Sequence, residues 1–334
     1  MVKIVLDAFG GDNAPHEIVK GGVLALQKFK DIKIIFAGDE DKIKEILAES
    51  EYPFDRVEII DAKEVIENNE IPTVAFKAKP NSSLVRAFDE LRTNDEAIGF
   101  VGAGSTGAVL TAGFLKIGRL TGISRPALCP ILPTVNNKHV AIIDCGANMD
   151  AKPINLLHFA IMGSAYLSTV YGVKSPRVAL LNVGVEEYKG NELSKETYEL
   201  LSKQPRINFV GNMEARELLS GNYEVVVADG FNGNVLLKGT EGAVVNILKM
   251  IKGEIKKKNI RKVGAVFMKG AFKALKKKMN YEESGGAVLI GCKKIVLKSH
   301  GNSTAKNICA SIEQVLDMHQ SKLIEKISQE IEKG

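Results

Sequence analysis

Apolar runs of four to seven residues recur along most of the chain and alternate with longer stretches of helical periodicity. Residues 2–6, 32–37, 56–61, 97–101, 141–144, 178–183 and 223–228 read as strands, several of them continuous apolar runs closed by Asp or Gly. A parallel strand buried on both faces has that appearance. Between them, residues 15–30 (opened by Pro15), a charged stretch from Lys42, and 82–92, 109–119, 154–171, 192–203 and 235–252 carry helical patterns. A last helix starts near Ser303, with Ile308, Ile312, Val315, Leu316, Leu323, Ile327 and Ile331 on one stripe that reads as core or dimer contact. Residues 66–81 read as a mobile connection. Strand and helix in alternation predict an α/β fold with a mostly parallel sheet covered on both faces, a three-layer α/β/α arrangement.

In such sheets ligands bind beyond the carboxyl ends of the strands. Asp7, Gly102, Asp144, Gly184 and Asp229 fall at those ends. The stretch DGFNGNVLLKGTEG at 229–242 is the most suggestive of them. Gly230, Asn232, Gly233 and Asn234 read as a tight loop before a helix, a place where unpaired N–H groups and the helix dipole suit an anion.

Composition narrows the class. The chain has 334 residues, 45% hydrophobic and 25% charged, and is long enough for a sizeable core as one large or two small domains. No repeat or linker divides it, so 1–334 reads as a single unit. Cys129, Cys145, Cys292 and Cys309 form no C-x-x-C pair, which argues against a zinc site or disulfide framework and suits a reducing cytoplasm. The chain enters a strand at once, without a signal peptide, and no apolar run reaches the roughly 18 residues of a membrane span. The net charge of +5 is uneven. Residues 249–278 hold 12 Lys and Arg against Glu254 alone, so this segment carries +11 and the remainder −6. Within 249–280, Ile260, Val263, Phe267, Ala271 and Leu275 recur at helical spacing among the lysines, with Val266, Met268 and Phe272 widening the apolar share. A basic amphipathic segment of this kind suits an anionic membrane surface or an acidic partner, and no nucleic-acid motif accompanies it.

Residues 102–107 spell G-x-G-x-x-G between a strand and a helix, yet no acid stands about 20 residues on, so a dinucleotide is disfavoured. A cradle of N–H groups with the Ser105 and Thr106 hydroxyls, for phosphate or an acyl oxygen, is the better reading. Neither a P-loop nor a G-x-S-x-G element occurs.

Taken together, DAFGGDNAP at 7–15, NSS at 81–83, GAGSTGA at 102–108, RPAL at 125–128, DCGANMDAKP at 144–153, PRVALLNVG at 176–184, KGNE at 189–192, GN at 211–212, the 229–242 stretch and SHGNS at 299–303 resemble the bacterial phosphate acyltransferase family, the acyl-ACP:phosphate transacylases of phospholipid synthesis. The likeness runs over nearly the whole chain and departs locally at Phe9, Asn13, Ser105 and Cys145. It implies an isocitrate/isopropylmalate-dehydrogenase-like fold of two interwoven halves sharing one sheet. It also implies a reaction of acyl-ACP with inorganic phosphate to give acyl phosphate and free acyl carrier protein, with neither metal nor organic cofactor. A homodimer, peripheral attachment to the membrane, and delivery of the product to a membrane glycerol-3-phosphate acyltransferase, on the way to phosphatidic acid, complete the implied picture. A short-chain phosphotransacetylase using acetyl-CoA and a non-catalytic membrane scaffold are the competing readings.

Phosphate is already anionic, so the chemistry needs positioning and oxyanion stabilisation more than a side-chain nucleophile. Lys189, in the KGNE block, is the expected neutralising cation, and Asn234 and Asn212 the expected donors to the carbonyl oxygen. His16 and His300 are the candidates for protonating the thiolate. Gly10, Gly11, Asp12, Gly104, Ser105, Thr106, Asn148, Asn191, Gly233 and His300 are the expected phosphate and substrate contacts. Asp7, Asp144 and Asp229 would orient loops, since bare carboxylates repel phosphate. Cys145 reads as a buried inert thiol rather than an acyl carrier. Val263, Phe267, Phe272 and Leu275 are the expected membrane or carrier contacts.

Overall fold

The computed structural model of the chain describes residues 1–279 and 285–332. The first apolar run forms β1 (Val2–Asp7), in which Ile4, Val5 and Leu6 are fully buried, so both faces are covered. Helix α1 (His16–Lys28) leads to β2 (Ile32–Gly38), and α2 (Glu40–Leu47), capped by the Asp39 side chain on Lys42 N, leads to β3 (Val57–Asp61). Residues 66–81, expected as a mobile connection, contain α3 (Pro72–Ala78), with Pro72 in its first turn and Ala75 and Phe76 buried. Then come α4 (Ser83–Thr93), capped by Ser82, β4 (Ala97–Gly102) and α5 (Thr106–Ala112). A π turn over Gly113–Ile117 prolongs α5, so this helix starts three residues before the expected 109.

Strands β5 (Ala127–Cys129) and β6 (Ile131–Pro133) flank Pro130. They are followed by β7 (His139–Ile143), α6 (Pro153–Val170), β8 (Arg177–Asn182), α7 (Glu192–Ser202), β9 (Asn208–Glu214) and β10 (Val225–Val227). Next are α8 (Gly230–Lys256), α9 (Asn259–Phe267) and α10 (Lys269–Met279). The chain closes with β11 (Ala287–Ile290), β12 (Ile295–Lys298), α11 (Ala305–Gln320) and α12 (Leu323–Glu332).

The α/β class is as the pattern predicts, but the strands form two sheets rather than one shared sheet. A seven-stranded sheet runs β3-β2-β1-β4-β12-β11-β5, and a five-stranded one runs β6-β7-β10-β8-β9. Five neighbouring strands of the first and four of the second are parallel; β11, β5 and β6 supply the antiparallel edges. Pro130 explains the division. It has no N–H to give to a ladder, and at that point the chain leaves one sheet for the other. Backbone bonds from Ile142 N to Pro130 O (3.2 Å) and Cys145 N to Leu128 O (3.0 Å) tie the sheets at this crossing. Helix α6 fills the space beside it, with Phe159 and Tyr166 fully buried.

Helix α8 is 27 residues, about 40 Å long, yet only Gly230, Gly233 and Leu237 are buried, all within its first eight residues. The rest projects from the body towards α9 and α10, where no residue of α9 is buried.

Candidate functional site

The strand register builds the site. Asp7, Gly102 and Lys298 stand level across β1, β4 and β12, at the carboxyl ends of three neighbouring parallel strands. The loops that follow close on one another. Asp12 N donates to Gly301 O at 2.7 Å, and Ser299 N donates to Gly102 O at 2.9 Å. Gly10 is packed so tightly that a Cβ there would lie 2.4 Å from Asp7 Oδ2 and 2.8 Å from Gly104 N. Gly11 has φ +112°, a conformation that favours glycine.

Two charges sit beneath these loops. Asp7 is 2% exposed and accepts from Phe9 N at 3.3 Å. Burial pushes its pKa up to about 6, against hydrogen bonds from Ser83, Phe9 and Gly10 and the charge of Lys298. Lys298 is 9% exposed, and its ammonium donates to Ala103 O (3.3 Å) and to Ser299 O. Burial lowers its pKa to about 8; Lys238 adds to the fall, while Asp12 and Asp7 oppose it.

Lys298 faces a cavity of about 130 Å³. Thr106, Ser299, His300 and Asn234 supply polar groups to its wall, and Leu128, Pro130, Ile131, Leu237 and Ala287 supply apolar ones. Lys238 and Glu241, paired at 2.8 Å, lie on the α8 side. Gln314 braces the opposite side, donating to Tyr166 Oη and accepting from Gly286 N, each at 2.8 Å. Cys145 also lines the wall, but burial pushes its thiol well above the ordinary range, leaving it un-ionised and a poor nucleophile.

Of the residues singled out from the sequence, Thr106, Asn234 and His300 meet at this cavity. Gly10, Gly11, Asp12, Gly104 and Ser105 belong to the loops over Asp7 and Lys298. Asp144 is fully buried and accepts from Leu128 N (2.8 Å), Ala147 N (3.2 Å), Asn148 N (2.6 Å) and Asn148 Nδ2 (2.9 Å). Asn148 gives its remaining amide bond to Pro126 O at 2.8 Å, so its side chain is committed to the sheet crossing and is absent from the cavity wall.

The 229–234 segment is not a loop but the start of α8, with Asp229 as its cap. Two of the donors expected for an anion are already taken. Gly230 N donates to Asn148 O at 2.8 Å, and Asn232 N donates to Asp229 Oδ1 at 2.9 Å. Gly233 serves contact instead: a Cβ there would stand 1.9 Å from Asp144 O.

Lys189, Asn191 and Asn212 lie apart from the cavity wall, around the loop after β8. Lys189 Nζ stands over the Tyr188 ring at 5.6 Å, Asn191 caps α7 through Ser194 N at 2.9 Å, and Asn212 Nδ2 donates to Glu186 O at 2.9 Å. His16 is on the surface beside Glu17 (3.3 Å) and Glu49 (3.7 Å), not at the cavity. The sequence pattern alone does not single out Lys298, Lys238 or Glu241 as site residues. One available signal was Lys298 itself, a lysine ending the apolar run Ile295–Lys298 just before the SHGNS block. Among the described residues no group of three or more His, Cys, Asp or Glu is placed to hold a metal ion.

The basic segment is open. Val263 is 58% and Phe267 87% exposed, Leu275 is exposed, and Phe272 is half-buried. Arg261 and Lys257 both pair with Glu254, leaving the positive excess outward. Asn280, the end of the segment marked from sequence, lies outside the described residues. Among those residues, no helix is long and apolar enough to cross a membrane.

A family model described as "Fatty acid synthesis protein" matches residues 2–326. A phosphate acyltransferase of Clostridium perfringens (strain SM101 / Type A) is 47% identical over 333 residues, covering 99% of this chain and 97% of its own. One from Caldanaerobacter subterraneus subsp. tengcongensis is 45% identical over 331 residues, covering 99% and 98%. Among solved structures, a phosphotransacetylase from Streptococcus pyogenes superposes with a TM-score of 0.61 at 16% identity, over 97% of this chain and 94% of its own. A 4-hydroxythreonine-4-phosphate dehydrogenase described as putative, from Salmonella typhimurium, gives 0.50 at 13% identity, over 95% and 99%. At such identities these two likenesses bear on the fold alone, and it is a fold common to phosphotransacylases and a dehydrogenase.

Proposed function

The chain belongs to the phosphate acyltransferase family of fatty acid synthesis proteins, and from that premise we propose that this acyltransferase takes a long acyl group from the thioester of acyl carrier protein to inorganic phosphate. The observation that carries the reading is the cavity at the strand ends, where the buried Lys298 lines a space walled by Thr106, Ser299 and Asn234 on its polar side and by Leu128, Ile131 and Leu237 on its apolar side. A phosphate dianion and a thioester carbonyl need that combination. The cation offsets the incoming charge, and amide and hydroxyl donors stabilise the tetrahedral oxyanion away from water. The apolar wall receives the first carbons of the acyl chain. One phosphate oxygen attacks the carbonyl carbon, the C–S bond breaks, and acyl phosphate and the carrier thiol leave.

The exposed basic pair α9 and α10 extends the reading to an anionic membrane surface. Lysines draw it to the lipid and Val263, Phe267 and Leu275 enter the interface, where a labile acyl phosphate passes to a membrane acyltransferase that acylates glycerol 3-phosphate. Phosphate-dependent release of carrier thiol by the purified protein, with palmitoyl carrier protein set against acetyl-CoA, tests the donor. Rapid turnover of the palmitoyl carrier and poor use of acetyl-CoA are expected; equal or better use of acetyl-CoA would overturn the long-chain reading.

A further inference from the structure

We propose that Lys298 is the acid that protonates the departing thiolate, a task beyond offsetting the charge of phosphate. The inference rests on the acyl-transfer reading above. An ammonium has three N–H donors. In Lys298 two are spent on Ala103 O and Ser299 O, which fixes the nitrogen in place and leaves the third for the cavity that it lines. The other acids are badly placed or badly suited. His16 is on the surface with Glu17 and Glu49. Asp7 lies behind Gly10 and Gly104 and is not part of the cavity wall. The Cys145 thiol is held un-ionised by burial. His300 shares the wall, with Nδ1 engaged by Asn302 Oδ1 at 2.7 Å, and is the one competitor.

The groups around Lys298 set its acidity. Asp7 and Asp12 face it from β1 and the loop beyond, Lys238 from α8 with Glu241 as its partner, and the Ala103 and Ser299 carbonyls from their loops. Burial outweighs the two aspartates and brings the ammonium to about 8. A cysteine thiol has an ordinary pKa of about 8.5 and a simple alkyl thiol is a weaker acid, so the proton passes downhill from the ammonium to the departing thiolate, and a donor near 8 is suited to general-acid catalysis near neutral pH.

The step balances without another reactant. An oxygen of hydrogen phosphate forms the new C–O bond as the C–S bond breaks and the electron pair of that bond leaves on sulfur. Lys298 Nζ–H gives its proton to the sulfur, producing the thiol. The acyl hydrogen phosphate then returns its own proton to Nζ, leaving acyl phosphate dianion and a lysine ready for the next cycle.

Lys298→Met and Lys298→Arg, checked by circular dichroism and thermal unfolding for a native fold, test the assignment. Each would be assayed with a palmitoyl alkyl thioester and a palmitoyl aryl thioester, whose thiol is far more acidic and leaves without a proton. General-acid loss costs about 10²–10⁴-fold; the Met variant is expected to show that deficit on the alkyl thioester and under about 10-fold on the aryl one. The Arg variant keeps the charge but gives up no proton, so it should hold a near-normal KM for phosphate with low kcat. It should also lack the decline expected of the wild type as pH rises past about 8. Equal deficits on both thioesters, or aryl rescue in His300→Ala rather than in the lysine variants, would overturn the role. If the wild type releases no thiol in response to phosphate from any thioester, the acyl-transfer reading itself falls and takes this role with it.

Discussion

The cavity and the α8–α10 projection use the same side chains in opposite surroundings. At the strand ends one lysine, Lys298, is buried under backbone carbonyls and partly deprived of its affinity for a proton. On the projection, Lys249, Lys252, Lys256 and Lys262 stand on helices that bury nothing beyond Leu237, and Lys257 and Lys258 form the turn between those helices. Glycine shows the same contrast. A Cβ at Gly233 would strike Asp144 O at 1.9 Å, whereas one at Gly264 meets nothing within 4 Å. The cavity end is therefore specified by close contact and desolvation, and the projection by composition and net charge. Substitutions that read packing should injure the first and spare the second.

The largest expected effect follows from the glycines. Gly233→Ala forces the start of α8 off the Asp144 loop, with a loss of about 3 kcal/mol typical of severe overpacking. Turnover should fall with it, since Asn234 and Leu237 move together with the helix. Gly264→Ala should leave turnover unchanged and favour α9 by up to about 1 kcal/mol through helix propensity. Thermal unfolding and turnover of both variants check the pair; a Gly233→Ala protein as stable as wild type would break the contrast.

Burial of charge gives the next prediction. The Asp7 carboxyl rises from 3.8 to about 6 in the folded chain. The folded state therefore binds more proton than the unfolded one between those values, and this group's contribution is full below pH 3.8 and lost as pH rises through 6. Two pKa units correspond to about 3 kcal/mol. Compared with wild type, Asp7→Asn should gain most of that, about 2 kcal/mol of relative stability, between pH 4 and pH 7. Denaturant unfolding at both pH values measures it, and a pH-independent difference would show that Asp7 is solvated.

On the projection, Val263→Glu with Phe267→Glu should leave turnover of a soluble acyl carrier intact. It should weaken binding to anionic vesicles by about 2 kcal/mol or more, as two apolar side chains are withdrawn from the interface and acids face the lipid. Undiminished binding, or no binding by the wild type at low salt, would return these helices to solvent or to carrier docking.

These contrasts also explain what was legible in the sequence. Strands β1, β2 and β4 announce themselves because burial on both faces makes continuous apolar runs. The +11 of 249–278 was countable because charge is local. By contrast β5, β6, β11 and β12 are three or four residues long and exist through partners far away, as Ala127 pairs with Ile290. The start of α8 carries Gly and Asn, which locally favour a turn, and the segment is helical because Asn148, Asp144 and the Asp229 cap receive it there. Lys298 was hidden for the same reason. Its burial depends on the loop at Ala103, some 195 residues earlier in the chain, and nothing within Ile295–Lys298 reveals that.

Lys189 offers the smallest effect and the finest test of the contrast. Its place in the KGNE block makes it the expected neutralising cation of the site, but the cavity wall is formed without it, and its ammonium rests over the Tyr188 ring in the loop following β8. Strand β8 neighbours β10, which leads into α8, so this loop lies along the same carboxyl edge as the cavity, on the half-exposed outside. A cation in that position guides an anionic substrate rather than meeting it in the transition state, and guidance of this kind is screened by salt. Lys189→Ala should therefore raise KM for phosphate or carrier by about 10-fold, roughly 1.4 kcal/mol, with kcat little changed and the deficit shrinking at high ionic strength. A salt-independent fall in kcat of about 10²–10³ would instead mean that Lys189 donates to the transition state, and that the loop reaches the cavity during turnover.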